Sequence, residues 1–405
     1  MTTDADVIIA GAGPAGSIAA YELANRGVSV LILEKSQFPR YKVCGAGLTH
    51  KILQEIPYDV SSVIETQIHT FVFSSGFKEV FAKTSAEPMI YCTMRDKLDA
   101  YMLEKAVSAG AMVQYGKKVT EVNQGSESVS VVTRTGVFHS KLLIGADGAS
   151  SVVARSAGLR ENLMSGLAWE AEVKADPSTV SAFSKTVFLD WGSFPGGYGW
   201  VFPKNDHFSI GVGGPARLSK WMMPYYRDFL DYLEAGSGIR VFETLSLKSW
   251  PIPVRISKSR FHHDRVLVTG DAAGLTDPLT GEGIYYAIRS GKLAAATCCE
   301  YLQQKAPSLV SYSRAVNDEL MNELIEANRI KFVFNTVPMK IHSFVRESDR
   351  AWRAFGKVLR GERWYADVRM GFGKWELLWG AACRVSRWIS DFRERRFRVN
   401  GFNRK

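Results

Sequence analysis

Hydrophobic positions fall into three patterns along the chain. Short, mostly apolar runs at Val7–Ala10, Val28–Leu33, Leu142–Ile144 and Val266–Val268 predict strands of a parallel sheet buried on both faces. Residues 66–91 and 165–255 instead alternate apolar with polar positions. Turns are expected at Ser74–Gly76, Pro195–Gly197 and Gly213–Pro215, so these stretches read as a second, strand-rich sheet. Helical periodicity fills the rest. It runs from Pro14 to a stop at Gly27, and from Arg95 to Gly110 with Leu98, Met102, Leu103, Ala106 and Val107 on one face. It returns from Ile284 to Tyr301 and through most of 306–405.

The first run ends in Gly11, Gly13 and Gly16, a GxGxxG spacing that opens the first helix. Gly11 permits the tight turn, Gly13 lets the backbone approach a pyrophosphate, and Gly16, beside Ala15, lets the helix pack on the strand. The next strand ends in Glu34, eighteen residues after Gly16 and followed by Lys35. An acid there can bind both ribose hydroxyls of an adenosine and would repel a 2′-phosphate, so FAD or NAD is expected rather than NADP.

Other glycine-rich segments lie at strand ends. Cys44, Gly45, Ala46 and Gly47 form a loop that lets backbone approach a flat group. Leu142–Gly145 leads into Asp147 and Gly148. Val266–Thr269 leads into Gly270 and Asp271, then into the loop Asp277–Gly283, with Gly281, Gly283 and Ile284 at the mouth of a helix. Asp271 is expected to accept from ribityl hydroxyls and Arg95 to pair with phosphate. Tyr198, Trp200 and Phe202 alternate, so they share one strand face, either a core wall or the lining of an apolar pocket.

Composition narrows the class. With 405 residues, 46% hydrophobic and 23% charged, the chain can build a sizeable core. No apolar run is long enough to span a bilayer, and Asp4 and Asp6 lead straight into the first strand, so no signal peptide is expected. Five cysteines without metal-type spacing suit a reducing cytoplasm and suggest no metal site. The net charge of +10 is concentrated after residue 330, where 18 Lys and Arg face 7 Asp and Glu. Trp352, Trp364, Trp375, Trp379 and Trp388 lie in the same stretch. Such a tail suits either an anionic membrane surface or a solvated face on packed helices, and nucleic acid is not expected.

Taken together, GxGxxG with Glu34, Ala146–Gly148 and Gly270–Gly274 resemble the large flavoprotein group that holds aromatic hydroxylases, halogenases and geranylgeranyl reductases. Within it, Tyr198, Trp200, Phe202 and Pro203, then seven residues, then Gly211 and Gly213 resemble the geranylgeranyl reductase signature YxWxFPx7GxG. The Phe38–Gly45 loop is similar to that family's cysteine loop, with Val43 where a proline is frequent, and 270–286 resembles its long flavin segment. Aromatic hydroxylases usually carry a histidine where this chain has Gly274, and halogenases carry WxWxIP.

The resemblance implies an α/β (α+β) fold of the p-hydroxybenzoate-hydroxylase type. Its parts would be a Rossmann-like FAD-binding domain (1–65, 92–160 and 256–305), an inserted antiparallel β-sheet for substrate (66–91 and 161–255) and a helical C-terminal region (306–405). It implies an FAD-dependent reductase of polyprenyl chains, with Cys44, Tyr198 and Trp200 at the reacting centre. Phe202, Pro203, Gly211 and Gly213 would line an isoprenoid pocket. Electrons would come from NAD(P)H or a ferredoxin-like donor. The substrate would be a polyprenyl lipid or diphosphate, and the protein would be cytoplasmic, peripheral to the inner face of the membrane. The alternatives are an FAD-dependent hydroxylase or halogenase-like enzyme, and a flavin electron-transfer protein, whose mark would be added cysteines for an iron–sulfur cluster.

Overall fold

The computed structural model describes residues 3–161, 163–370 and 376–400. Among them, five parallel strands form the centre of the first sheet. Their order is Val266–Val268, Gly136–Gly145, Ala5–Ala10, Val30–Glu34 and Met112–Tyr115. Ile8, Ile9, Ile32, Leu143, Ile144 and Leu267 are fully buried, which is why these runs carry no alternation. Val119–Gln124 and Val129–Thr133 add an antiparallel meander. The chain leaves Ala5–Ala10 toward Val30–Glu34 on one side while Gly136–Gly145 lies on the other. A crevice therefore opens at their carboxyl ends, beside Gly11, Glu34 and Ala146.

The second sheet has the order Val241–Arg255, Leu163–Ala175, Phe208–Pro215, Tyr198–Pro203, Thr186–Trp191, Thr70–Ser75 and Phe81–Thr84. Its neighbours are antiparallel except Thr186–Trp191 with Thr70–Ser75, which run parallel because the 70–84 hairpin joins the edge from a distant part of the chain. The strand-rich reading of 165–255 misses a helix, Met222–Ser237, that packs on this sheet. Its tyrosines and phenylalanine favour strands and Pro224 sits in its first turn. Even so, Met222, Tyr225, Tyr226, Phe229 and Leu233 are buried at helical spacing.

A small third sheet joins Gly47–Thr49, Ile90–Thr93 and Ile64–Ile68. Its last two strands straddle the boundaries expected at 65 and 91. The C-terminal region is helical. Asn322–Thr336 packs on Glu376–Asn400. Asp349–Leu359 brings Trp352 and Phe355 edge-on to Phe71, with centroids 5.6 and 5.7 Å away. Trp375 lies outside the described residues, as does the side chain of Trp379.

Candidate active site

Steric exclusion fixes the glycine turn. Gly11 has φ +97°, and a Cβ there would stand 2.5 Å from the Ala146 carbonyl oxygen. A Cβ on Gly16 would stand 1.9 Å from the Gly11 carbonyl oxygen, so the helix Pro14–Ala24 rests directly on the turn. Gly13 is different: the nearest atom to its Cβ position is Arg40 Nη2 at 3.8 Å, and this face is open. Gly13 is also the N-cap and has no side chain to offer the first-turn N–H groups. Glu34 is buried at the strand end. Its Oε2 accepts from Ala12 N–H at 2.8 Å and its Oε1 from Ser36 N–H at 2.9 Å. Lys35 is exposed.

A second helix, Ile284–Leu302, points its N-terminus at the same region. Its N-cap is again a glycine, Gly283, with no side-chain cap. Gly291 lets the two helices touch, since a Cβ there would lie 2.5 Å from the Ala15 carbonyl oxygen. The preceding loop is braced by Asp277 Oδ1, which accepts from Leu279 N–H at 2.7 Å. Glu282 braces it further by accepting from Thr49 Oγ1 and Lys51 Nζ, both at 2.6 Å. Asp271 is half-buried and pairs with Lys42 at 3.4 Å. Gly274, at φ +73°, would place a Cβ 2.2 Å from Leu163, which leaves no room for a histidine.

Two further expected cofactor contacts, like Glu34, also have partners within the protein. Asp147 caps the short helix Val152–Ser156: its carboxylate accepts from Ser151 Oγ and from Val152 N–H at 2.7 Å. Gly148 beside it has φ +79° and nothing within 4 Å. Arg95 is buried and bidentate to Asp99, at 2.8 and 2.7 Å, and it borders the Cys44 thiol. The cation facing the glycine turn is Arg40, which also pairs with Asp99 at 3.0 Å.

The aromatic face of Tyr198–Pro203 lies directly over the cysteine loop. A Cβ on Gly45 would meet the Phe202 ring at 2.7 Å, and one on Gly47 would meet it at 2.8 Å. Trp200 lies against Gly211 and Gly213, whose missing side chains make room for the indole; a Cβ on Gly211 would stand 2.3 Å from it. Tyr198 reaches the other way and donates to the Thr280 carbonyl. Pro203 ends the strand, buried, and its carbonyl accepts from Thr66 Oγ1 at 3.1 Å. The roof strand therefore touches both loops beneath it.

The cysteine loop is held from several sides. The Gly45 carbonyl accepts from the buried Lys204 Nζ at 2.8 Å, and the Ala46 carbonyl accepts from Thr93 N–H at 3.0 Å. Ala46 N–H approaches Cys44 Sγ at 3.4 Å, with Ala46 itself at φ +48°, an unusual conformation for a residue with a Cβ. Cys44 N–H donates to Glu170 Oε1 at 2.7 Å, and Trp200 Nε1–H donates to Glu170 Oε2 at 3.0 Å. Burial, reinforced by Glu172, pushes the Glu170 carboxyl up to about 7. Burial also acts on Glu172, but hydrogen bonds from His207 and Ser209 outweigh it and hold that carboxyl below its ordinary value.

Sequence reading missed Arg40, Glu170, Glu172 and Lys204. The run Trp169–Val173 looks like a strand with an acidic solvent face, and only its partners far along the chain reveal that face as interior. These features fit FAD. Two uncapped helix N-termini converge, a buried acid closes the strand end, and an open glycine face lies between them.

A family model described as an FAD binding domain matches residues 4–316. The chain is 30% identical to a digeranylgeranylglycerophospholipid reductase of Methanopyrus kandleri, over 74% of this chain and 81% of that one. It is also 30% identical to a geranylgeranyl diphosphate reductase of Rhodobacter capsulatus, over 76% and 79%. A crystal structure of a geranylgeranyl bacteriochlorophyll reductase-like protein from Thermoplasma acidophilum superposes with a TM-score of 0.73 and 25% identity, covering 85% of this chain and 92% of that one.

Proposed function

The chain belongs to the geranylgeranyl reductase family of FAD-dependent oxidoreductases, and from that premise we propose that it hydrogenates carbon–carbon double bonds of a polyprenyl chain. The observation that carries the reading is the aromatic roof of Tyr198, Trp200 and Phe202 laid on the Cys44 loop. An isolated alkene is not polarised, so a proton must accompany the hydride and water must be kept from the cation-like carbon. Bound, reduced FAD supplies the hydride.

The chain's own residues do the rest. The Gly11–Gly16 turn, Arg40 and the N-terminus of Pro14–Ala24 would hold the diphosphate, the N-terminus of Ile284–Leu302 would face the pyrimidine edge of the flavin, and Glu34 would hold the ribose. The three rings exclude water and orient the prenyl chain. Cys44 Sγ, between Ala46 N–H and the Arg95 guanidinium, holds the proton delivered to the second carbon. Gly274 favours this reading over a hydroxylase. The electron donor is a nicotinamide that visits transiently or a ferredoxin-like protein.

Docking on an anionic bilayer belongs to the same proposal. On Glu376–Asn400, Val385, Trp388 and Phe392 are exposed, with the Trp388 and Phe392 rings stacked at 6.2 Å. Exposed Arg384, Arg387, Arg395 and Arg396 flank them. None of the helices in the described residues is long and apolar enough to cross a membrane.

The deciding experiment incubates dithionite-reduced holoenzyme with geranylgeranyl diphosphate and with a geranylgeranylated lipid. Mass spectrometry should show two hydrogens gained per double bond. Insertion of oxygen, or no gain on any prenyl compound, overturns the proposal.

A further inference from the structure

One buried carboxylate joins the two halves of the candidate site. Glu170 lies on Leu163–Ala175, with no exposed surface, and both of its oxygens are acceptors. Oε1 takes the Cys44 amide at 2.7 Å and Oε2 the Trp200 indole N–H at 3.0 Å. An ionised carboxylate satisfies both donors. A protonated one carries its own hydrogen on one oxygen and keeps a good acceptor for only one of them.

We propose that Glu170 is a positioning residue that fastens the Cys44 loop to Trp200 only while it is ionised, so that the loop is released when the carboxyl takes up a proton. This goes beyond the hydrogenation reading and rests on it for its bearing on turnover; the fastening itself does not.

The charged surroundings assign the titration to Glu170. On its own strand, Glu172 repels its negative form. Lys204, just past the roof strand, favours that form, and Tyr198 on the roof strand, Tyr41 in the loop and Tyr226 on Met222–Ser237 lie close enough to feel it. Glu172 has its own partners: Ser209, Tyr41 at 3.3 Å and His207 at 3.2 Å. His207 also meets Asp206 at 2.7 Å, and Asp206 is 84% exposed. Glu172 therefore stays charged, and its charge together with burial raises Glu170 to about 7.

The test is hydrogen exchange of the Cys44 amide in oxidised holoenzyme, corrected for the intrinsic rate at each pH. Protection should fall about tenfold between about pH 8 and about pH 6, as expected for loss of a bond to a charged acceptor. The midpoint should lie near the Glu170 value of about 7. Glu170→Gln, whose amide accepts through one atom only, should be poorly protected at every pH. Glu172→Gln should move the midpoint to lower pH.

A flat profile in the unaltered protein overturns the proposal, as does a Glu170→Gln protein that follows it. If that variant does not accumulate with flavin, Glu172→Gln decides, and an unmoved midpoint overturns the proposal. Turnover provides the functional readout. On prenyl substrate, kcat should fall on the acid side of the same midpoint with KM little changed, and Glu170→Gln should lose that limb. Absence of any prenyl reduction with the exchange profile intact would sink the hydrogenation reading and leave the fastening standing.

Discussion

Glu170 and Glu172 sit two positions apart on one strand face, yet their surroundings drive them in opposite directions. A carboxyl raised in the fold binds its proton more tightly there than in the unfolded chain. Its contribution to stability is therefore full below the ordinary carboxylate range, declines as pH climbs to about 7, and is level above that. Chemical denaturation between about pH 5 and about pH 8 should show this decline, and Glu170→Gln should remove that part of it. None of this was legible in the sequence, because alternation reports which face a residue occupies and not whether another sheet or loop covers that face. Cys44 was legible because its glycine neighbours announce close backbone approach. Arg40 was not, since an arginine in a loop looks solvated until the fold brings it to Gly13.

At the scale of elements, the parallel strands and the two cofactor-facing helices were readable because each carries its own start and stop: apolar run, glycine turn, helix. The helix Met222–Ser237 was not, because its aromatic residues carry strand propensity and its period emerges only once the sheet beneath buries one face. Gly211 and Gly213 were expected to line substrate; in the structure both also lie against Trp200, where a Cβ on Gly211 would meet the indole. Gly211→Ala should therefore destabilise the fold by about 1–3 kcal/mol through overpacking. Trp200→Phe in the same chain should recover part of that loss. A double-mutant cycle in thermal denaturation tests the coupling; additive effects would show that the glycine answers to something other than the indole.

Across the whole molecule, positive charge and exposed rings gather on the C-terminal helices while the cofactor-facing elements lie in the first 305 residues. Charge asymmetry was plain in the sequence; which rings face outward was not, because Trp352 packs inward and Trp388 does not. Replacing Trp388 and Phe392 with serine should weaken binding to anionic liposomes severalfold and leave flavin content unchanged, and binding should fall as salt rises. Equal binding by the variant, measured by flotation, would remove that face from the docking surface.

Tyr198 ties one end of the roof strand to Thr280, and Phe202 seats the other over Gly45 and Gly47. A span supported at both ends offers a single workstation, whereas under the proposed hydrogenation a polyprenyl chain would bring several alkenes. On that reading the chain would have to shift by one isoprene unit between turnovers and could depart after any of them. Partly saturated species should consequently build up early in a time course and drain later into the fully reduced product.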